Sequence, residues 1–331
     1  MKRIVAIAIA AILIAFFTIP LASCTQPKNE KAGKMHIICT VFPQYDWVRQ
    51  ILGDAAQYYE LTMLLNSRAD LHNYQPSVDD IVKITSCDMF VYVGGESDGW
   101  VSDVLGKSTN PDMVVINLLE TLGDAAKLEE LLEGMEAEEE SEEEGEADDE
   151  DEAEYDEHVW LSLRNAKIFC EAIASELSNL DKGNAAVFQG NLASYLEKLS
   201  ALDEGYRAAV DSAPARVLLF GDRFPFRYMM DDYGLTCFAA FAGCSAETEA
   251  SFDTIIFLAK KTDELNLNSI VVTESSDQSI ANTIINNSSR KDQQIIVLDA
   301  MQSVSAGDVD GGATYLSIME RNLVALKEAL R

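Results

Sequence analysis

Short, wholly apolar runs alternate with amphipathic stretches along most of this chain. Residues 35–42 (M-H-I-I-C-T-V-F) are β-branched and apolar on both faces, the mark of a strand covered on both sides. The same pattern predicts strands at 59–65, 88–93 and 113–116. Helical spacing predicts helices at 45–53 and 78–85, and a further one around Trp100. Ser77 is placed to cap the 78–85 helix, with Asp79 and Asp80 in the first turn, where the helix dipole favours negative charge. Strands alternating with short helices predict a parallel sheet with helices on both faces.

The alternation breaks at 136–157, which is nearly all Glu and Asp. No core can form from such a run and like charges repel, so it reads as a solvated, disordered insertion. It has two readings: a charged solubility loop, or a collector that holds divalent cations weakly through hard oxygen ligands. After a helix at 165–177, residues 184–213 form one long amphipathic pattern with Phe188, Leu192, Leu196, Leu199 and Leu202 at helical spacing. Such a helix is about 45 Å long, enough to run along two lobes. Strand–helix alternation then restarts, with strands at 216–220, 235–241, 269–272 and 295–298. Helices are predicted at 228–233, 252–265, 279–287 and 315–330. The fold class is α/β: two (β/α) lobes with parallel sheets, spanning 35–183 and 214–331, joined by the backbone helix 184–213.

The N-terminus sets the compartment. Lys2 and Arg3 precede an apolar run over 4–21 that ends in Leu21-Ala22-Ser23-Cys24. The run is about the length of a membrane span, so an uncleaved anchor is one reading. The L-A-S-C ending instead matches the lipobox of bacterial signal peptides. Residues 1–23 are then a leader, Cys24 carries the lipid, and 24–34 is a polar tether. The protein is thereby expected at the cell membrane, lipid-anchored on its extracytoplasmic face. A formal charge of −31 argues against nucleic acid as a partner and suits a protein that attracts cations. Five cysteines remain after Cys24, with no C-x-x-C pair; Cys237 and Cys244 could bridge, leaving at least one free thiol.

The chain has three histidines. His36 sits at a strand edge. His72 and His158 each lie in a loop just before a helix, and His72 also follows a strand, where ligands of open parallel sheets bind. Asp222, Glu274 and Asp299 stand at strand ends in the second half. Two imidazoles with several carboxylates form a plausible divalent-metal site across a cleft.

Several motifs then resemble one family. T-V-F-P-Q-Y-D-W-V at 40–48, D-L-H-N-Y-Q-P-S-V-D-D-I at 70–81, D-M-F-V-Y-V-G-G at 88–95 and H-V-W-L at 158–161 are similar to the metal-binding lipoproteins of zinc and manganese ABC importers. So are E-T-E-A-S at 247–251, V-V-T-E-S at 271–275, V-L-D-A-M at 297–301 and the terminal Y-L-S-I-M-E-R-N-L-V-A-L. The resemblance covers essentially the whole mature chain. It implies metal buried between two lobes and delivery to an ABC permease powered by a separate ATPase; the chain is expected to be a monomer. The acidic run stands where that family carries a flexible insertion, usually rich in histidine.

Position by position, the resemblance makes His72 the first ligand, His158 the second and Asp299 the fourth. The third position falls on Arg223, whose guanidinium has no lone pair for a metal. Asp222 or Glu274 is left to substitute, Asp222 being preferred. Two histidines with two carboxylates suit Zn²⁺ or Mn²⁺ as the transported ion. No nucleophile–base pair or phosphate loop stands out, so the chain reads as a binding protein and not an enzyme. Two rival readings are an extracytoplasmic metallohydrolase with Glu274 as general base, and a surface adhesin or metal sensor using the acidic run.

Overall fold

A computed structural model of the chain describes residues 34–67, 70–135, 154–245 and 249–331. The leader, the lipidation residue Cys24, most of the tether and residues 136–153 lie outside the described residues.

The first parallel sheet is built from β1 (Met35–Cys39), β2 (Tyr59–Met63), β3 (Met89–Tyr92) and β4 (Val114–Asn117), in the order β2-β1-β3-β4. Its central strands bury Ile37, Cys39, Met89, Phe90 and Val91 completely, as an apolar-on-both-faces pattern requires. Around it lie α1 (Phe42–Leu52), α2 (Val78–Ser86), α3 (Val101–Leu105) and α4 (Leu118–Leu122). The Ser77 cap of α2 is present, closed by a reciprocal bond from Asp80. The first strand is shorter than 35–42. Pro43 cannot donate to a ladder and is suited to a helix start, and the Gln44 side chain accepts from the Thr40 and Val41 amides. Thr40 keeps backbone bonds to Val91 and Leu65, and the chain turns out of the sheet at Val41 to open α1.

Helix α5 (Leu163–Leu180) leads to α6 (Ala185–Asp211), the long helix foreseen at 184–213. Phe188, Leu192, Tyr195, Leu199, Leu202, Tyr206 and Val210 form its buried stripe. It packs on α1 and α5 from the first half, and on α7 (Arg227–Tyr233) and α11 (Tyr315–Ala329) from the second.

The second parallel sheet comprises β5 (Val217–Phe224), β6 (Thr236–Ala242), β7 (Ser269–Thr273) and β8 (Gln294–Leu298), ordered β6-β5-β7-β8. Helices α8 (Phe252–Glu264), α9 (Ser279–Asn287) and α10 (Ala306–Asp310) complete this half. Strand β5 runs four residues past the predicted 216–220, with a register shift between Phe220 and Arg223.

The acidic run needs a corrected boundary. Its last four residues are not a solvated coil. Tyr155 bridges Leu128, the Asp156 amide donates to the Lys127 carbonyl at 2.8 Å, and Asp156 and Glu157 are each 2% exposed. The partners that make this burial possible are the histidines and loops of the site.

Candidate metal centre

His72 lies in a 3₁₀ turn, Leu71–Asn73, beyond the carboxyl end of β2. The Asp70 side chain caps that turn, accepting from the His72 amide at 3.2 Å. His158 precedes another short turn and the start of α5, and is wholly buried. The sheets and loops bring the two Nε2 atoms to 3.3 Å from each other.

Each ring is held from behind. His158 Nδ1 lies 3.0 Å from Asp156 Oδ1 and donates its proton there, which leaves a lone pair on Nε2. His72 Nδ1 lies 2.8 Å from Ser97 Oγ and 3.4 Å from Glu157 Oε2. Glu157 Oε1 in turn accepts from the Ser97 amide at 2.8 Å. Gly95 has φ +82°, and a Cβ there would fall 2.4 Å from Glu157 Oε1, so this carboxylate fits only beside a glycine. Ser97 is positioned by Asp98, whose Oδ2 accepts from the Val93 and Gly94 amides.

Gln302 Nε2 lies 2.8 Å from His158 Nε2 and 3.3 Å from His72 Nε2. An amide oxygen in that place would face two lone pairs, so the NH₂ end fits and its two protons cover both nitrogens. The proton on His72 then resides on Nδ1 and is donated to Ser97.

The thiol of Cys244 joins this group. Its Sγ and one ring nitrogen from each histidine all lie within 4.8 Å of one another. Cys244 follows β6, and its amide donates to Glu129 Oε1 at 2.9 Å. The chain reaches the site there because position 243 is glycine. A Cβ on Gly243 would sit 2.9 Å from the Phe224 carbonyl oxygen and 3.1 Å from two atoms of the His158 ring.

Burial, then the neighbouring charge of His158, pulls the His72 pKa down to about 4, keeping its ring neutral and its lone pair available. Burial opposes charge on His158 too, but the hydrogen bond and charge of Asp156, with Glu157 and Glu129 beyond, together raise its pKa. Burial pushes the Glu157 carboxyl up to about 7 and raises the Cys244 thiol.

In the metal-free chain the three expected carboxylates are engaged by backbone groups of the second half. Asp222 Oδ2 accepts from the Thr273 amide (3.0 Å) and hydroxyl (2.8 Å), and its Oδ1 accepts from the Arg223 amide. Glu274 accepts from the amides of Ala300, Gln302 and Ser303. Asp299 accepts from the Met301 amide, and burial together with the charge of Glu274 lifts its pKa to about 6. All three belong to the second half and brace its loops; none joins the two imidazoles and the thiol within 4.8 Å. Arg223 pairs with Asp70 at 2.9 Å, and its charge helps hold the His72 pKa down. The Cys237–Cys244 bridge left open by the sequence is not formed, since both are free thiols.

Sequence reasoning missed Cys244, Gln302, Asp156 and Glu157 as parts of this centre. Asp156, two residues before His158, carried a local signal that the acidic run obscured. Cys244 and Gln302 carried none, because only folding brings them to the histidines.

A family model described as zinc-uptake complex component A, periplasmic, matches residues 37–329. The zinc-binding lipoprotein AdcA of Streptococcus pneumoniae is 30% identical over 320 residues, covering 97% of this chain. This chain spans 60% of the length of that relative. The high-affinity zinc uptake system protein ZnuA of Bacillus subtilis is 30% identical over 302 residues, covering 91% of this chain and 89% of its own. Among solved structures, the Zn(II)-bound ZnuA-like domain of Streptococcus pneumoniae AdcA superposes with a TM-score of 0.68 at 28% identity, over 90% of this chain and 99% of that one. The metal-dependent lipoprotein YcdH of Bacillus subtilis gives a TM-score of 0.70 at 26% identity, with coverage of 90% and 99%.

Proposed function

We propose that this chain, which belongs to the zinc-uptake complex component A family, captures Zn²⁺ outside the cytoplasmic membrane and delivers it to an ABC-type permease and its ATPase for import. One observation carries this reading. Two nitrogens bound to Zn²⁺ at about 2.0–2.1 Å in a tetrahedral site are about 3.3–3.4 Å apart, and the Nε2 atoms of His72 and His158 are 3.3 Å apart. Their Nδ1 protons are tied to Ser97 and Asp156, so both lone pairs already face one point. The Gln302 amide covers that point in the metal-free protein and turns or withdraws when the ion enters.

Zinc is preferred to manganese because the AdcA and ZnuA relatives are named for zinc, and because the side chains gathered here are nitrogen and sulfur rather than hard oxygen. The L-A-S-C sequence supports a lipid on Cys24, as does the lipoprotein name of the AdcA relative. The protein acts as a monomeric binding component and not as an enzyme. The general base that a hydrolase would need, Glu274, is committed to the backbone of residues 300–303.

Calorimetry with Zn²⁺ and Mn²⁺ on the purified full chain tests the reading. His72→Ala and His158→Ala should each weaken Zn²⁺ binding by more than roughly 100-fold, beyond the effect typical of residues that only orient a ligand. Unchanged affinity in both variants would overturn it.

A further inference from the structure

We propose that Cys244 supplies a thiolate as the third protein ligand of the captured ion, making the centre His₂Cys. This inference rests on the metal-capture reading and deepens it. Both imidazoles come from the first half of the chain, and two neutral nitrogens alone leave a tetrahedral ion half coordinated. The second half must contribute, yet its carboxylates at 222, 274 and 299 brace their own loops. Its Arg223 is a cation, held by Asp70.

Among the described residues of the second half, Cys244 reaches the imidazoles with a ligand atom of the right kind. Zn–S and Zn–N bonds of about 2.3 and 2.05 Å at a tetrahedral angle put sulfur about 3.6 Å from nitrogen. The three donor atoms already lie within 4.8 Å, so closing the set takes at most roughly 1 Å, the scale of a side-chain rotation. The backbone is set for this approach. Gly243 lets the chain pass against the His158 ring, and Glu129 anchors the Cys244 amide. As the S–Zn bond forms, the S–H bond breaks and its proton passes to solvent. Zn²⁺, two neutral imidazoles and one thiolate sum to a single positive charge, which faces the carboxylates of Asp156 and Glu157. A soft thiolate in a three-donor set discriminates for Zn²⁺ and against Mn²⁺.

The test loads the purified full chain with Co²⁺, whose bond to a thiolate gives a sulfur-to-metal charge-transfer band in the near ultraviolet. Wild type and a Cys237→Ser control should show the band, and Cys244→Ser should lose it. The near-isosteric Cys244→Ser variant should keep its thermal unfolding midpoint without metal. Its Zn²⁺ affinity should fall on the order of tenfold or more, with little change for Mn²⁺. If Co²⁺ binds in a His72-dependent way but the band is absent from wild type, or persists in Cys244→Ser, the thiolate assignment is overturned and metal capture stands. If wild type binds neither Co²⁺ nor Zn²⁺, both fall.

Discussion

His158 and Asp156 lie two residues apart, and the hydrogen bond between them fixes which imidazole nitrogen is free. Ser97 does the same for His72 from a loop held by Asp98. Asp98 is 3% exposed, and its Oδ1 has no hydrogen-bond partner among the described residues. Burial therefore raises its pKa from the ordinary 3.8 to about 6, against the two amide bonds that favour the anion. A carboxyl with a raised folded pKa binds more protons in the native state than in the unfolded one. Its contribution to stability is present below the unfolded pKa and is lost as pH climbs through the folded pKa. Wild type should thus lose about 3 kcal/mol relative to Asp98→Asn between roughly pH 3 and pH 7. Urea unfolding of both proteins across that range measures the difference; parallel pH curves would refute it. Neither the raised pKa nor the role of Ser97 was legible in the sequence, because both depend on partners brought together by the fold.

Elements were more legible than residues, because their signals are local. The Ser77 cap with Asp80, the apolar strands and the stripe of α6 all depend on neighbours within a few positions. Where an element departs from expectation, a contact within the fold explains it. Strand β5 continues past Phe220 because β6 keeps pairing with it as far as Phe224, beyond a register shift. That extension places Asp222 against Thr273 and Arg223 beside Asp70. The end of β6 matters in the opposite sense. The missing Cβ of Gly243 is what admits the His158 ring. Gly243→Ala should cost about 1–3 kcal/mol through overpacking and weaken Zn²⁺ binding at the same time. Thermal unfolding and calorimetry on this one variant check both, and an unperturbed centre would show that the strand end has room to shift.

Across the whole molecule, long-range bonds join segments far apart in sequence. Trp160 Nε1 donates to the Ala300 carbonyl at 2.9 Å, and the Tyr315 hydroxyl donates to the Trp160 carbonyl at 2.7 Å. Asp46, wholly buried in α1, accepts the Tyr315 amide at 2.9 Å and pairs with Arg49 at 2.7 Å. That amide opens α11, so the carboxylate satisfies an orphan donor at the positive end of the C-terminal helix. Removing it leaves a buried N–H unpaired and deprives Arg49 of its acid. Asp46→Ala should therefore lower unfolding free energy by about 2–4 kcal/mol while leaving Zn²⁺ affinity unchanged. Chemical denaturation and calorimetry separate these effects; a parallel loss of affinity would tie this joint to the metal centre.

By itself the sequence determined the two α/β halves, the long helix between them, and the two histidines placed beside turns. Each of these follows from local periodicity or from a residue type that is rare in the chain. Only the tertiary structure decided the rest of the centre. Whether a carboxylate, a thiol or an amide meets the imidazoles depends on which backbone groups have already engaged it, and those lie on other strands. Asp222, Glu274 and Asp299 hold loops, while Cys244 and Gln302 stand at the histidines. His72 and His158 were legible because imidazole announces its own chemistry; their partners were not, because position in the fold assigns theirs.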